Sequence, residues 1–205
     1  MPNPATMFIA EIAGPAGSYD TIDAWCREVA ASLAGNPAIE RVGRYRRLND
    51  NRGLLVAELA AGADASVIAD ALSVPPAGLD VKTATAHQLG EQRRPDAPAD
   101  PRECPLFYTV NFPVPPDREE ALGDWYEQEH APMLLGCEHW VMTRRFRLEG
   151  PAAAEWGPHL AVHYLSDIKA LRSPERDAAR RTPWRDRIAA EPWFRGRYNI
   201  CLQEV

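Results

Sequence analysis

The chain says the same thing twice, and that repetition limits the folds open to it. TMFIAEIA near the start and FYTVNFPV from Phe107 both read as strands, apolar runs bounded by glycine or proline. SYDTIDAWCREVAASLA and PPDREEALGDWYEQEH follow, two amphipathic helices with Trp25 and Trp125 at the same place. IERVGRYRRL then matches HWVMTRRFRL, and RGLLVAELA matches GPHLAVHYL. A helical segment comes next in each half: ADASVIADAL in the first, an Arg-rich stretch from Ser166 to Ala190 in the second. LDVKTATAHQL and RGRYNICLQEV close the halves as strands. Between them GEQRRPDAPADPRECP has no apolar period and reads as a linker.

The order is β-α-β-β-α-β, twice, which is the split βαβ or ferredoxin-like unit. The expected class is α+β: a first unit over 1–90, a linker over 91–105 and a second unit over 106–205. A four-stranded sheet with helices on one face needs a partner for its other face. Here the partner is covalently attached, so the two units are expected to pack sheet to sheet as an intrachain pseudo-dimeric α/β barrel.

The second half resembles the dimeric α/β barrel superfamily, and within it the EthD-like proteins. The residues that carry the resemblance are the strand Tyr108 to Pro113, the motif Asp124-Trp125-Tyr126-x-x-Glu129-His130-x-Pro132, and Arg144, Arg145 and Phe146 in the next strand. The resemblance covers about the last hundred residues, and the first half joins only through the repeat. It departs from the family pattern after Pro132, where Leu135-Gly136-Cys137 replaces the usual Pro-Gly. The resemblance implies cofactor-independent oxygenases, lactone isomerases, polyketide cyclases or haem enzymes, without choosing among them.

Glu129 and His130 stand where the first repeat has Val29 and Ala30. A stripe Leu122, Trp125, Glu129, Met133 places the carboxylate near the inward face, where burial demands a partner or a wet cavity. Pro132 disfavours helical angles at Ala131, so the helix is expected to end at His130. There the helix dipole would favour the protonated ring. His130, Glu129 and Tyr108 are the catalytic candidates: base or acid, its orienting partner, and a hydroxyl donor. Asn111, Phe112, Trp125, Tyr126, Trp140, Phe146, His159 and His163 are the candidates for binding substrate. On a strand His159 and His163 lie roughly 13 Å apart at about 3.3 Å per residue, too far to share a metal.

Other chemistries lack their signatures: there is no HExxH, no paired CxxC, no P-loop, no GxGxxG and no G-x-S-x-G. The four cysteines are scattered, as in free thiols of a reducing cytoplasm. The net charge of −6 argues against nucleic acid, and no apolar run is long enough for a membrane helix. MPNPATMFIAEIAG lacks the pattern of a secretory leader. Lysine occurs only at Lys82 and Lys169 against many arginines, a coding bias that suggests a GC-rich bacterium. The Arg172–Arg187 run alternates with acids and reads as a solvated face.

The leading expectation is therefore a cytoplasmic enzyme with no bound cofactor, monomeric or a homodimer. It would use proton-transfer chemistry (isomerase, cyclase or lyase) on a small hydrophobic aromatic or polyketide-like molecule. The alternatives are a cofactor-independent oxygenase, a haem protein with His130 or His163 as ligand and Arg144, Arg145 and Arg147 near the propionates, and a non-catalytic ligand-binding protein.

Overall fold

The computed structural model describes residues 6–48, 50 and 52–204. The first five residues of the stretch read above for a leader lie outside the described residues. The elements are β1 (Thr6–Ala13), α1 (Tyr19–Leu33), β2 (Ile39–Arg47), β3 (Arg52–Leu59), α2 (Ser66–Ala71), β4 (Asp80–Arg93), β5 (Leu106–Phe112), α3 (Glu119–Trp125), a wide π turn (Tyr126–His130), α4 (Ala131–Leu135), β6 (Trp140–Glu149), α5 (Ala153–Trp156), β7 (His159–Leu165), α6 (Pro174–Ala179), α7 (Pro183–Ala189) and β8 (Arg197–Glu204). The strands are hydrogen-bonded in the order β1-β3-β2-β8-β5-β7-β6-β4, a closed antiparallel barrel. Read from β4, each half has its own strands in one order: β4-β1-β3-β2, then β8-β5-β7-β6. That is the ferredoxin-like order, and the fold is α+β.

Two compact units can be distinguished: residues 1–88 with 147–155 and 199–205, and residues 89–146 with 156–198. β4, β6 and β8 each run through a boundary. β4 continues through Arg93, so the charged residues at the start of the supposed linker belong to a strand. Charge did not prevent pairing there: Arg94 N–H bonds the Val141 carbonyl just beyond the strand end.

In the first unit, α1 turns Ile22, Trp25, Cys26, Val29 and Leu33 inward at helical spacing. They meet Phe8, Ala10 and Ile12, alternate residues of β1, in one buried cluster. Glu11 points the other way and is buried, with one oxygen 2.7 Å from Arg47 and the other 2.6 Å from Arg52. In the second unit Phe112, Leu122, Trp125, Tyr126, Ala131 and Ala161 form the corresponding cluster under the helices. Gly157, at φ +94°, lies two residues before β7 where only glycine fits: a Cβ would stand 2.6 Å from the Phe112 carbonyl.

Candidate functional site

The helix expected to stop at His130 does not stop. It passes through the π turn into α4, with Pro132 in the first turn of that helix. Proline has no N–H to donate, and in a regular α-helix its ring would collide with the carbonyl four residues back. A wider turn relieves both problems by adding one residue to the helical circuit. The polar side chain of Gln92 holds this turn: its Nε2 donates to the Glu127 carbonyl at 2.9 Å and to Glu127 Oε2 at 2.7 Å. Arg145 donates to Glu127 Oε1 from Nε at 3.0 Å and from Nη2 at 2.7 Å.

The extra residue changes which side chains meet. Trp125 and His130, five apart, stack at 4.2 Å between ring centroids and 23° between planes. Tyr126 meets the same imidazole edge-on at 5.0 Å. The buried stripe becomes Leu122, Trp125, Tyr126, Ala131 and Leu134. Glu129 falls beside it, half-buried, accepting from Trp125 Nε1 at 3.1 Å and from Thr182 Oγ1 at 2.6 Å. The carboxylate thus orients the indole that carries His130, rather than His130 itself.

His130 Nδ1 is buried with no hydrogen-bond partner. Burial pushes its pKa down to about 3. The Ala179 backbone favours the charged ring, and the charges of Arg176, Arg185 and Arg180 push down again. The expectation of a protonated ring at a helix end is reversed. There is no helix end at His130, and the nearby charges are cationic.

His163 lies on β7 opposite Tyr108 of β5, and the two rings stack at 5.5 Å. Its Nδ1 is 3.2 Å from Trp140 Nε1 and 2.9 Å from Thr143 Oγ1. Burial first, then the neighbouring His130 and Arg176, hold it well below the usual imidazole range. Burial raises the Tyr108 hydroxyl, opposed by a hydrogen bond and charge from Arg176 and by the charge of Arg180. Tyr126 stacks over His163 at 6.4 Å, so two neutral imidazoles and the two tyrosines share one aromatic block. The aromatic residues pack ring against ring. A cleft too narrow to admit a water molecule runs beside Tyr126 and Thr143, lipped by Gln92, Glu127 and Arg145.

Other candidates lie elsewhere. Phe112 joins the helix-side cluster and stacks on Phe194 at 5.1 Å. Asn111 alternates with it and pairs with Leu160 on the other sheet face. Phe146 is on that other face too: it lies under Arg144, which reaches the Tyr164 hydroxyl at 3.4 Å. His159 is on the helix side beside Glu119 at 3.4 Å, four pairs along the strand from His163. Among the described residues no three metal-ligating side chains cluster, no helix is long and apolar enough to cross a membrane, and the four cysteines are free and buried.

Sequence reading missed Thr143, Gln92, Arg176 and Arg180. The period-2 alternation of β6 was the available signal for Thr143. The Arg-rich stretch is not one helix: it breaks into α6 and α7, capped by Ser173 and Thr182, which places Arg180 at the break.

No family model and no curated protein matches the sequence. Solved structures match its fold. An anthrone oxidase-like protein superposes with a TM-score of 0.69 at 12% identity, covering 99% of this chain and 92% of the other. A monooxygenase-like protein from Listeria innocua gives 0.60 at 10% identity, covering 98% and 95%. A mutant chlorite dismutase from Candidatus Nitrospira defluvii gives 0.62 at 12% identity, covering 98% and 92%. At such identities the likeness is one of fold, the dimeric α/β barrel.

Proposed function

We propose that the helix-covered side of the second unit is an acid–base site for a small hydrophobic aromatic molecule, with neutral His130 as the proton acceptor. The observation that carries this reading is the His130 Nδ1, buried, unpartnered and held on the face of Trp125. A buried polar atom without a partner costs about 1–3 kcal/mol, and a bound substrate proton would satisfy it. An imidazole of low pKa is a weak base in isolation. The arginines that lower it also stabilise the enolate or phenolate left by deprotonation, so proton and oxyanion form together as a pair. Tyr108, stacked on His163 at 5.5 Å, supplies a hydroxyl for that oxygen. Isomerisation, cyclisation and lyase cleavage all begin with this step.

Cofactor-independent oxygenation begins with it too, the carbanion then reacting with O₂. The names of the anthrone oxidase-like and monooxygenase-like structures support this second reading. The residues do not fit haem. His163 Nδ1 is committed to Thr143 and Trp140, and Trp125 and Tyr126 occupy the space against His130.

The test follows the acidic C–H of a hydroxylated polycyclic ketone in D₂O by ¹H NMR, with and without O₂. The protein should speed loss of that signal, and His130→Gln should abolish the effect without unfolding the chain. Exchange by the variant at the wild-type rate would remove His130 from the role. Oxygen uptake by the wild type would select oxygenation.

A further inference from the structure

Two buried indoles of the second unit have their ring N–H held by a base. Trp125 Nε1 donates to the Glu129 carboxylate at 3.1 Å, and Trp140 Nε1 lies 3.2 Å from His163 Nδ1. An indole that loses an electron becomes a strong acid at nitrogen, so each has a place for its proton. Trp156 and Trp193 do not: their Nε1 atoms are buried without a partner. The two held indoles are also in ring contact with phenols. Trp125 meets Tyr126 at 5.1 Å between centroids, and Trp140 meets Tyr108 at 6.2 Å. His163 is nearly parallel to both phenols, 6.4 Å from Tyr126 and 5.5 Å from Tyr108. From Tyr108 the next ring is Tyr198 on β8, 6.4 Å away and 60% exposed. All these separations are ordinary aromatic contacts, so the series runs from buried indole to solvent without a gap. Electron tunnelling falls exponentially with distance, and tight packing serves it. The fold does not itself demand such rings: Trp25, which holds the place of Trp125 in the first repeat, is buried among aliphatic side chains, Cys26 and Phe8.

We propose that this series is a one-electron relay in which Tyr198 restores Trp125 or Trp140 after oxidation by an oxyl radical, RO•. The radical takes one electron from the indole and becomes RO⁻, while the indole proton moves to Glu129 or His163. An electron then passes inward from Tyr198 by way of Tyr108, and the indole takes its proton back. The Tyr198 hydroxyl gives its own proton to water, leaving a phenoxyl radical at the surface within reach of a soluble thiol. Tyr108 and Tyr126 do not end the series, because burial raises both hydroxyls and of the three only Tyr198 is open to water. The relay does not depend on His130 acting as a base.

An ultraviolet laser flash ejects electrons from the indoles of the full chain, and an electron scavenger makes the loss permanent. Indolyl and phenoxyl radicals have distinct visible absorption bands. In the wild type the indolyl band should decay as the phenoxyl band grows, in a first-order phase whose rate is independent of protein concentration. Tyr198→Phe keeps the ring and removes only the hydroxyl. It should abolish that growth and lengthen the life of the indolyl radical at least tenfold. Tyr108→Phe should slow the same phase. If either variant keeps the wild-type rate and amplitude, or if the rate scales with protein concentration, the relay is absent and the rings only pack.

Discussion

Thr182 Oγ1 donates to Glu129 Oε1 at 2.6 Å while accepting from the Arg185 backbone N–H at 3.0 Å. One hydroxyl caps α7 and ties it to the turn that carries His130. The start of α7 is thereby held against the π turn. Thr182→Val removes both bonds. An N-cap lost in this way costs about 0.5–2 kcal/mol, and the bond to a charged acceptor adds to it. Urea denaturation should show a loss on the order of 2 kcal/mol. Hydrogen exchange should quicken in residues 173–190 before any change in β5 or β7; uniform quickening would mean that the contact is not a local latch.

His130 also sets an acid limit on stability. Its folded pKa is about 3, below an unfolded value of about 6.5. Between those values the unfolded chain binds the additional proton, so this group's contribution is complete above pH 6.5 and declines as pH falls toward 3. His163 acts in the same direction. His130→Gln should therefore flatten the fall in unfolding free energy between pH 7 and pH 4.5 by about 1–3 kcal/mol. The same low pKa predicts no inflection near 6.5 in log kcat/KM. An inflection there would show that the free protein carries an ordinary, solvated histidine.

The π turn explains how much of this was legible. The repeat and the order of elements within each half come directly from hydrophobic period and turn chemistry. Trp125 was found because Trp25 sits at the same place in the first repeat. The turn itself leaves no local signature: Pro132 signals a helix end, and only Gln92 and Arg145, 35 and 18 residues from Glu127, make continuation affordable. One added residue then displaced Glu129 from the inward stripe and brought His130 onto Trp125. The face on which Asn111 and Phe146 lie was not legible for a different reason. Alternation gives two faces of a strand, and only tertiary pairing says which face the helices cover.

Glu127 gives the third prediction. Its carboxylate takes two bonds from Arg145 and one from Gln92. Glu127→Gln weakens all three and leaves Arg145 without its counter-charge. The cost should be about 1–3 kcal/mol. Because the turn sets the Trp125–His130 stack, proton-transfer kcat should fall at least tenfold with binding of the aromatic ketone nearly unchanged. Gln92→Leu should have a smaller effect in the same direction. Equal losses in kcat and binding would point to general unfolding of the helix.

The His163 tautomer is the last. Trp140 Nε1 carries a proton and can only donate, so at 3.2 Å from His163 Nδ1 it makes that nitrogen an acceptor. The Thr143 hydroxyl, 2.9 Å from the same atom, can then donate to it as well. The ring proton belongs on Nε2, and burial among Tyr108, Tyr126 and Trp140 keeps it the only one. Long-range ¹H–¹⁵N spectra at pH 7 should show the neutral Nε2–H form. That form should persist to pH 5, where a solvated histidine would already be charged. Thr143→Val removes one donor and should soften the preference without abolishing it, since Trp140 remains. An Nδ1–H spectrum would mean that the indole gives its proton to Thr143 Oγ1 alone, 3.2 Å away.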